Sequence, residues 1–197
     1  MRESDSPGFS GPFRLISVRS PDGRVRADKE DPGAGIRVAR GNRMEINNLI
    51  TPDSILPALR VSSKKQALQE LAKRAAELTE QHERAIFDVL LERERLGTTG
   101  VGNGIAIPHG KLPTLTGLHG LFARLVEPID FDSIDDQPVD LIFLLLAPES
   151  AGADHLKALA RVSRLLRDRA TCEKLRGANS AEALYTLLSQ SQATQAA

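Results

Sequence analysis

Chemistry concentrates in one stretch, Gly97-Thr98-Thr99-Gly100-Val101-Gly102-Asn103-Gly104-Ile105-Ala106-Ile107-Pro108-His109-Gly110-Lys111. Glycine at four of the eight positions 97–104 lets the backbone turn tightly and lets another molecule approach closely. Ile105 and Ile107 alternate, which anchors one face of a strand. Pro108 holds Ile107 extended and removes an N–H, so the strand should end there. His109 then stands at a strand terminus beside Gly110, rigid on one side and open on the other. An imidazole so placed can be reached by a partner, and its unprotonated nitrogen near pH 7 is a competent nucleophile. The loop is neither a G-x-x-x-x-G-K-[ST] nucleotide cradle nor a G-x-G-x-x-G dinucleotide fingerprint. From local composition alone, a structural turn with an incidental histidine remains the competing account.

The elements that must position this histidine alternate between helix and strand periods. Pro52-Asp53-Ser54 opens a short turn, and Leu59-Arg60-Val61 reads as a short strand. Ser63 and Gln66 form a capping box for a helix whose apolar stripe is Ala67, Leu68, Leu71, Ala72, Ala75 and Leu78. A second helix begins near Glu83, and the segment from Gly97 to Gly104 ends it in a loop. Strands are expected at Ile105 to Ile107 and Leu118 to Leu125. Val139 to Leu146 is apolar but for Asp140, the mark of a strand covered on both faces. Helical spacing returns at Leu156, Leu159, Val162, Leu165 and Leu166, then at Thr171 to Leu175, and last behind a Ser180 cap. The expected architecture is α/β, a mixed β-sheet flanked by helices on both faces.

Residues 1–43 depart from this pattern. They carry Pro7, Pro12, Pro21 and Pro32, six glycines, and nine basic against six acidic residues. That density of helix and strand breakers predicts a disordered N-terminal extension. It lacks the apolar core of a signal peptide, and an upstream start codon or an added segment accounts for it more simply than a regulatory tail. The folded unit is expected over 44–190, with 191–197 a frayed polar tail.

Composition excludes several function classes. Lys+Arg and Asp+Glu both number 26, so the basic excess of a general nucleic-acid binder is missing. Tryptophan is absent and aromatics are 4%, which leaves little for base stacking. No apolar run reaches the ~18 residues that cross a bilayer, so no membrane insertion and a cytoplasmic protein are expected. The single cysteine, Cys172, rules out an intramolecular disulfide and a multi-cysteine zinc cage, and reads as a buried helix residue. His82 and His119 read as surface or partly buried. Asp132, Asp135, Asp136 and Asp140 lack the central glycine and final glutamate of a calcium loop, and read as a polar turn.

The long motif resembles a known family. "LERERLGTTGVGNGIAIPHGKL", followed by "EPIDFDSIDDQPVDLIFLLLAP", is similar to the enzyme IIA domains of the bacterial phosphotransferase system, fructose/mannitol type, and most of all to their nitrogen-regulatory branch. The resemblance covers roughly Ile46 to Ser189; residues 1–43 lie outside it. It implies that His109 is the phosphorylated residue, that Arg93 is the arginine before the loop, and that His155 is the second histidine. On local sequence alone Arg93, between Glu92, Glu94 and Arg95, reads rather as a solvated helix-end residue. His155, with Leu159, Val162 and Leu166 on its face, reads equally as a packed histidine. In the implied roles, the Arg93 guanidinium fork compensates phosphoryl charge. His155, near a helix N-terminus where the dipole disfavours imidazolium, serves as a neutral hydrogen-bond donor.

The resemblance implies phosphoryl transfer from the histidine-containing phosphocarrier protein, with regulated target proteins reading the phosphorylation state. The donor is already a phosphohistidine, so no cofactor and no metal are expected. Two other readings stay open: a sugar-specific enzyme IIA that hands phosphate to a separate enzyme IIB, and an interaction module whose histidine never turns over.

Overall fold

The computed structural model describes residues 45–190. The extension and the polar tail expected from the sequence lie outside the described residues. Six strands form one sheet: β1 (Ile55–Leu59), β2 (Gly100–Gly102), β3 (Ile105–Ala106), β4 (His109–Leu112), β5 (His119–Ile129) and β6 (Val139–Pro148). Five helices surround it: α1 (Lys64–Thr79), α2 (Glu83–Arg95), α3 (Gly152–Arg167), α4 (Arg169–Gly177) and α5 (Ala181–Gln190). The strand order is β1-β5-β6-β3-β2, with β4 also paired to β6. The sheet is mixed. β1 runs parallel to β5, and β3 and β4 run parallel to β6, while β5–β6 and β2–β3 are antiparallel.

β6 organises the core. Leu141, Phe143 and Leu145 pack against Val162, Leu165 and Leu166 of α3 and against Leu184 and Leu188 of α5. The alternate residues Ile142, Leu144 and Leu146 pack against Leu68, Leu71 and Ala72 of α1 and Ile86 and Leu90 of α2. All six β6 residues are essentially inaccessible, as a two-sided strand requires.

β3 and β4 lie end to end along the same side of β6. Ile105 pairs with Leu141 and Ala106 with Ile142; His109 pairs with Leu145 and Gly110 with Leu146. The offset is the same on both sides of Pro108, so the proline interrupts the ladder without shifting its register. The Pro108 carbonyl still accepts from Leu145 N–H at 3.0 Å. The strand expected to end at Pro108 therefore resumes, and His109 is the first residue of the new segment.

Four other local expectations are corrected. The first strand is Ile55–Leu59, not Leu59–Val61. Gly100–Gly102, expected as loop, forms a three-residue edge strand against β3. The α1 cap is shifted: Ser63 Oγ accepts from Gln66 N–H, but Gln66 Oε1 accepts from Ser62 N–H, not from Ser63. Leu156 is 66% exposed, because the buried stripe of α3 runs through His155, Ala158, Val162, Leu165 and Leu166. Cys172 is buried on α4, as read from the sequence.

Candidate functional site

His109 and Ile107 share one side of the β3–β4 line, since strand side chains alternate. Ile107 packs in the α3–α5 core, and the His109 ring correspondingly lies toward α3. Gly110 faces the other way, onto α2: a Cβ there would lie 2.4 Å from Val89 Cγ1. Only glycine admits this close approach, which brings the last turn of α2, and Arg93 with it, against the imidazole.

The hydrogen bonds of the ring define its tautomer. Nδ1 lies 2.8 Å from the Ile107 carbonyl oxygen, which can only accept, so Nδ1 carries the proton. Nε2 accepts from Arg93 Nε–H at 2.9 Å, so Nε2 carries the lone pair. Both contacts suit one neutral tautomer. Burial lowers the His109 pKa below its ordinary value; the Ile107 carbonyl opposes this, and the Arg93 charge reinforces it. The neutral ring therefore prevails near pH 7. Arg93 also donates through Nη1 to the Gly97 carbonyl at 3.0 Å, which ties it to the turn that ends α2.

His155 reaches the same place from the opposite face. It is the fourth residue of α3, 6% exposed, and its ring centroid lies 5.7 Å from that of His109 with the planes tilted by 53°. Its Nδ1 is buried and takes no hydrogen-bond partner among the described residues. Its pKa is lowered by burial first, then by His109 and Lys111. The first turn of a helix also presents unpaired N–H groups and a positive dipole end.

Arg93, His109 and His155 thus meet in one open cleft of about 300 Å³ that Val89, Glu92, Leu96, Gly110 and Lys111 also line. The arrangement presents an aromatic nitrogen lone pair among two cationic side chains and a helix N-terminus, a setting suited to a transferred anion. His82 and His119 do not line the cleft. Among the described residues, no group of three or more His, Cys, Asp or Glu is placed to hold a metal. No described helix is long and apolar enough to cross a membrane.

Sequence reasoning did not single out Lys111, although it follows His109 by two on a strand, the spacing that returns to the same face. It also passed over Glu94. That side chain is only 6% exposed and is paired with Lys64, 30 positions earlier in the chain. Asp140, read as part of a polar turn, instead binds Arg176 through both carboxylate oxygens at 2.7 and 2.8 Å.

A "nitrogen regulatory protein" of Bradyrhizobium diazoefficiens is 66% identical over 153 residues, 78% of this chain and all of that one. The Escherichia coli protein of the same description is 39% identical over 153 residues, covering 77% and 93%. A fructose-specific EIIA component of Haloferax volcanii is 44% identical over 106 residues, 54% of this chain and 69% of that one. Among solved structures, the nitrogen regulatory protein IIA-Ntr of Neisseria meningitidis superposes with a TM-score of 0.70 at 34% identity, covering 73% of this chain and 98% of that one. The mannitol IIA of Escherichia coli, 20% identical with a TM-score of 0.61 over 71% and 98% of the two chains, shares the fold. The profile of the family described as "Phosphoenolpyruvate-dependent sugar phosphotransferase system, EIIA 2" matches residues 48–191, and the chain belongs to that family.

Proposed function

We propose that the protein is a cytoplasmic phosphohistidine carrier of the nitrogen-related phosphotransferase system. In this reading His109 accepts a phosphoryl group from the histidine-containing phosphocarrier protein, and the two states act differently on regulated target proteins. The observation that carries it is the His109 ring, with Nδ1–H held by the Ile107 carbonyl and the Nε2 lone pair turned toward a guanidinium in an open cleft.

The Nε2 lone pair attacks the phosphorus of the donor phosphohistidine. A new N–P bond forms as the donor's N–P bond breaks, and that electron pair returns to the donor imidazole. Positive charge growing on the His109 ring is shared with the Ile107 carbonyl through Nδ1–H. Arg93, released from Nε2 as its lone pair is consumed, turns its fork onto the equatorial oxygens. His155 donates from the other side, where the α3 N-terminus adds its dipole. The roughly two added negative charges then change which partners this surface attracts.

Incubation with phosphorylated phosphocarrier protein tests the proposal. An acid-labile, alkali-stable phosphate should appear on His109 and be absent from His109→Ala. An unlabelled wild-type protein overturns it and favours a pure interaction module. The fructose-specific relative supports a second reading, transfer onward to a sugar-specific enzyme IIB. Removal of the label by a purified IIB of that kind would favour it over regulation.

A further inference from the structure

We infer that Glu94, held by Lys64, is a positioning residue that fixes the tautomer and aim of His109 through Thr99 and Ile107. The inference rests on the carrier reading above, because it concerns how Nε2 comes to be the nitrogen that takes phosphate.

Glu94 follows Arg93 on α2. Successive helical residues point about 100° apart, so Arg93 enters the cleft while Glu94 turns away beneath the Gly97–Thr99 turn. Its carboxylate is saturated there. Oε1 accepts from Thr99 N–H at 2.9 Å and from Lys64 Nζ at 2.8 Å, and Oε2 accepts from Thr99 Oγ1 at 2.6 Å. Lys64 is anchored in turn by Asp132 at 2.9 Å and stands 5.0 Å over the Phe131 ring. Burial alone would raise the Glu94 pKa, but the Lys64 and Thr99 hydrogen bonds outweigh it and hold the carboxyl below its ordinary value.

From Thr99 the constraint runs on without a gap. The Thr99 carbonyl accepts from Ile107 N–H at 2.9 Å, and the Ile107 carbonyl takes the His109 Nδ1–H at 2.8 Å. Two carbonyls and two N–H groups thus separate a nearly buried carboxylate from the reacting ring. A buried ion pair is a poor device for stability, since packed apolar residues of like volume do as well or better. Here it supplies direction: the Ile107 carbonyl stays aimed at Nδ1, and the proton stays off Nε2.

The experiment reads the ring before any phosphate is involved. In 15N-labelled protein, long-range 1H–15N spectra assign the His109 tautomer, which should be Nδ1–H in the wild type. Glu94→Gln and Thr99→Val, the second nearly isosteric and lacking only the hydroxyl, should shift the ring toward mixed tautomers. They should slow phosphoryl acceptance by about 10- to 100-fold and place part of the phosphate on Nδ1, as seen by 31P spectra. Thr99→Ser and Lys64→Arg should restore the wild-type ring and rate. A wild-type tautomer in both Glu94→Gln and Thr99→Val overturns the inference, including where melting temperature and rate fall together. Should the wild-type protein take no phosphate at all, the carrier reading fails, while the tautomer spectra still decide the role of Glu94.

Discussion

Two arginines stand at opposite ends of the β6 ladder and face opposite fates. Arg176, on α4, gives Nε and Nη2 to the two oxygens of Asp140 and shares Nη2 with the Asn103 carbonyl at 2.8 Å. Gly104 leaves room for the pair: a Cβ there would lie 2.7 Å from Arg176 Nη2. Among the described residues Arg93 has no carboxylate partner. It donates to a neutral imidazole and a carbonyl. An arginine held by a carboxylate is a staple, because leaving it would strand a charge. An arginine held by neutral acceptors is a reserve, because an arriving phosphoryl group outbids both of them.

Paired substitutions sharpen that contrast. Arg93→Ala should slow phosphoryl acceptance by about 10²- to 10³-fold, the usual loss for one donor to a developing anion, with the melting temperature nearly unchanged. Arg176→Ala should do the opposite. It should cost about 1–2 kcal/mol, a charged hydrogen-bonded pair discounted for partial exposure, and leave the transfer rate as it was. Denaturant unfolding and single-turnover labelling read the two effects separately, and a slow, fully stable Arg176→Ala would collapse the distinction. His155→Ala should slow acceptance by about tenfold, less than Arg93→Ala, since a neutral donor contributes less than a charged one.

The smallest effect lies in pH. Burial holds His109, His119 and His155 below the ordinary imidazole pKa of 6.5. Between those lowered values and 6.5 the unfolded chain binds more protons than the folded one. Stability is therefore complete above pH 6.5 and declines as pH falls through that window. His109→Gln should make the decline shallower in a melting-temperature series. Phosphoryl acceptance should persist below pH 6.5, where an ordinary histidine would already be protonated.

The same contrast shows what a sequence can disclose. β6 was legible because seven apolar residues in a row, Leu141 to Ala147, leave few alternatives, and the helix stripes of α1 and α3 were legible from spacing. β1 was displaced because Pro57 sits inside it, and proline inside an apolar run argues against a strand unless that strand lies at an edge, as β1 does. β2 was hidden because Gly-Val-Gly has little strand propensity of its own and is paired only by its neighbour β3. For His109 the strand-end setting was readable locally, though an incidental histidine in a structural turn fitted it too, and resemblance singled it out; Arg93 and His155 were singled out by resemblance alone, since their neighbours described a solvated arginine and a packed histidine. Glu94 was passed over for the same reason. A glutamate among Arg93, Arg95 and Glu92 looks like a wet helix end until Lys64 folds over it.

The unbroken offset across Pro108 carries a consequence for how this segment can change. Side-chain direction along an extended segment is set by parity, so the span from Ile105 to His109 works as a counted distance. Residues within it can be exchanged for others of like size. Removing or adding one would flip the imidazole through the plane of the sheet, away from the α3 entrance and into the Val89 contact that Gly110 now leaves vacant. Length, more than composition, is what those five positions must keep to hold the imidazole on its side of the sheet.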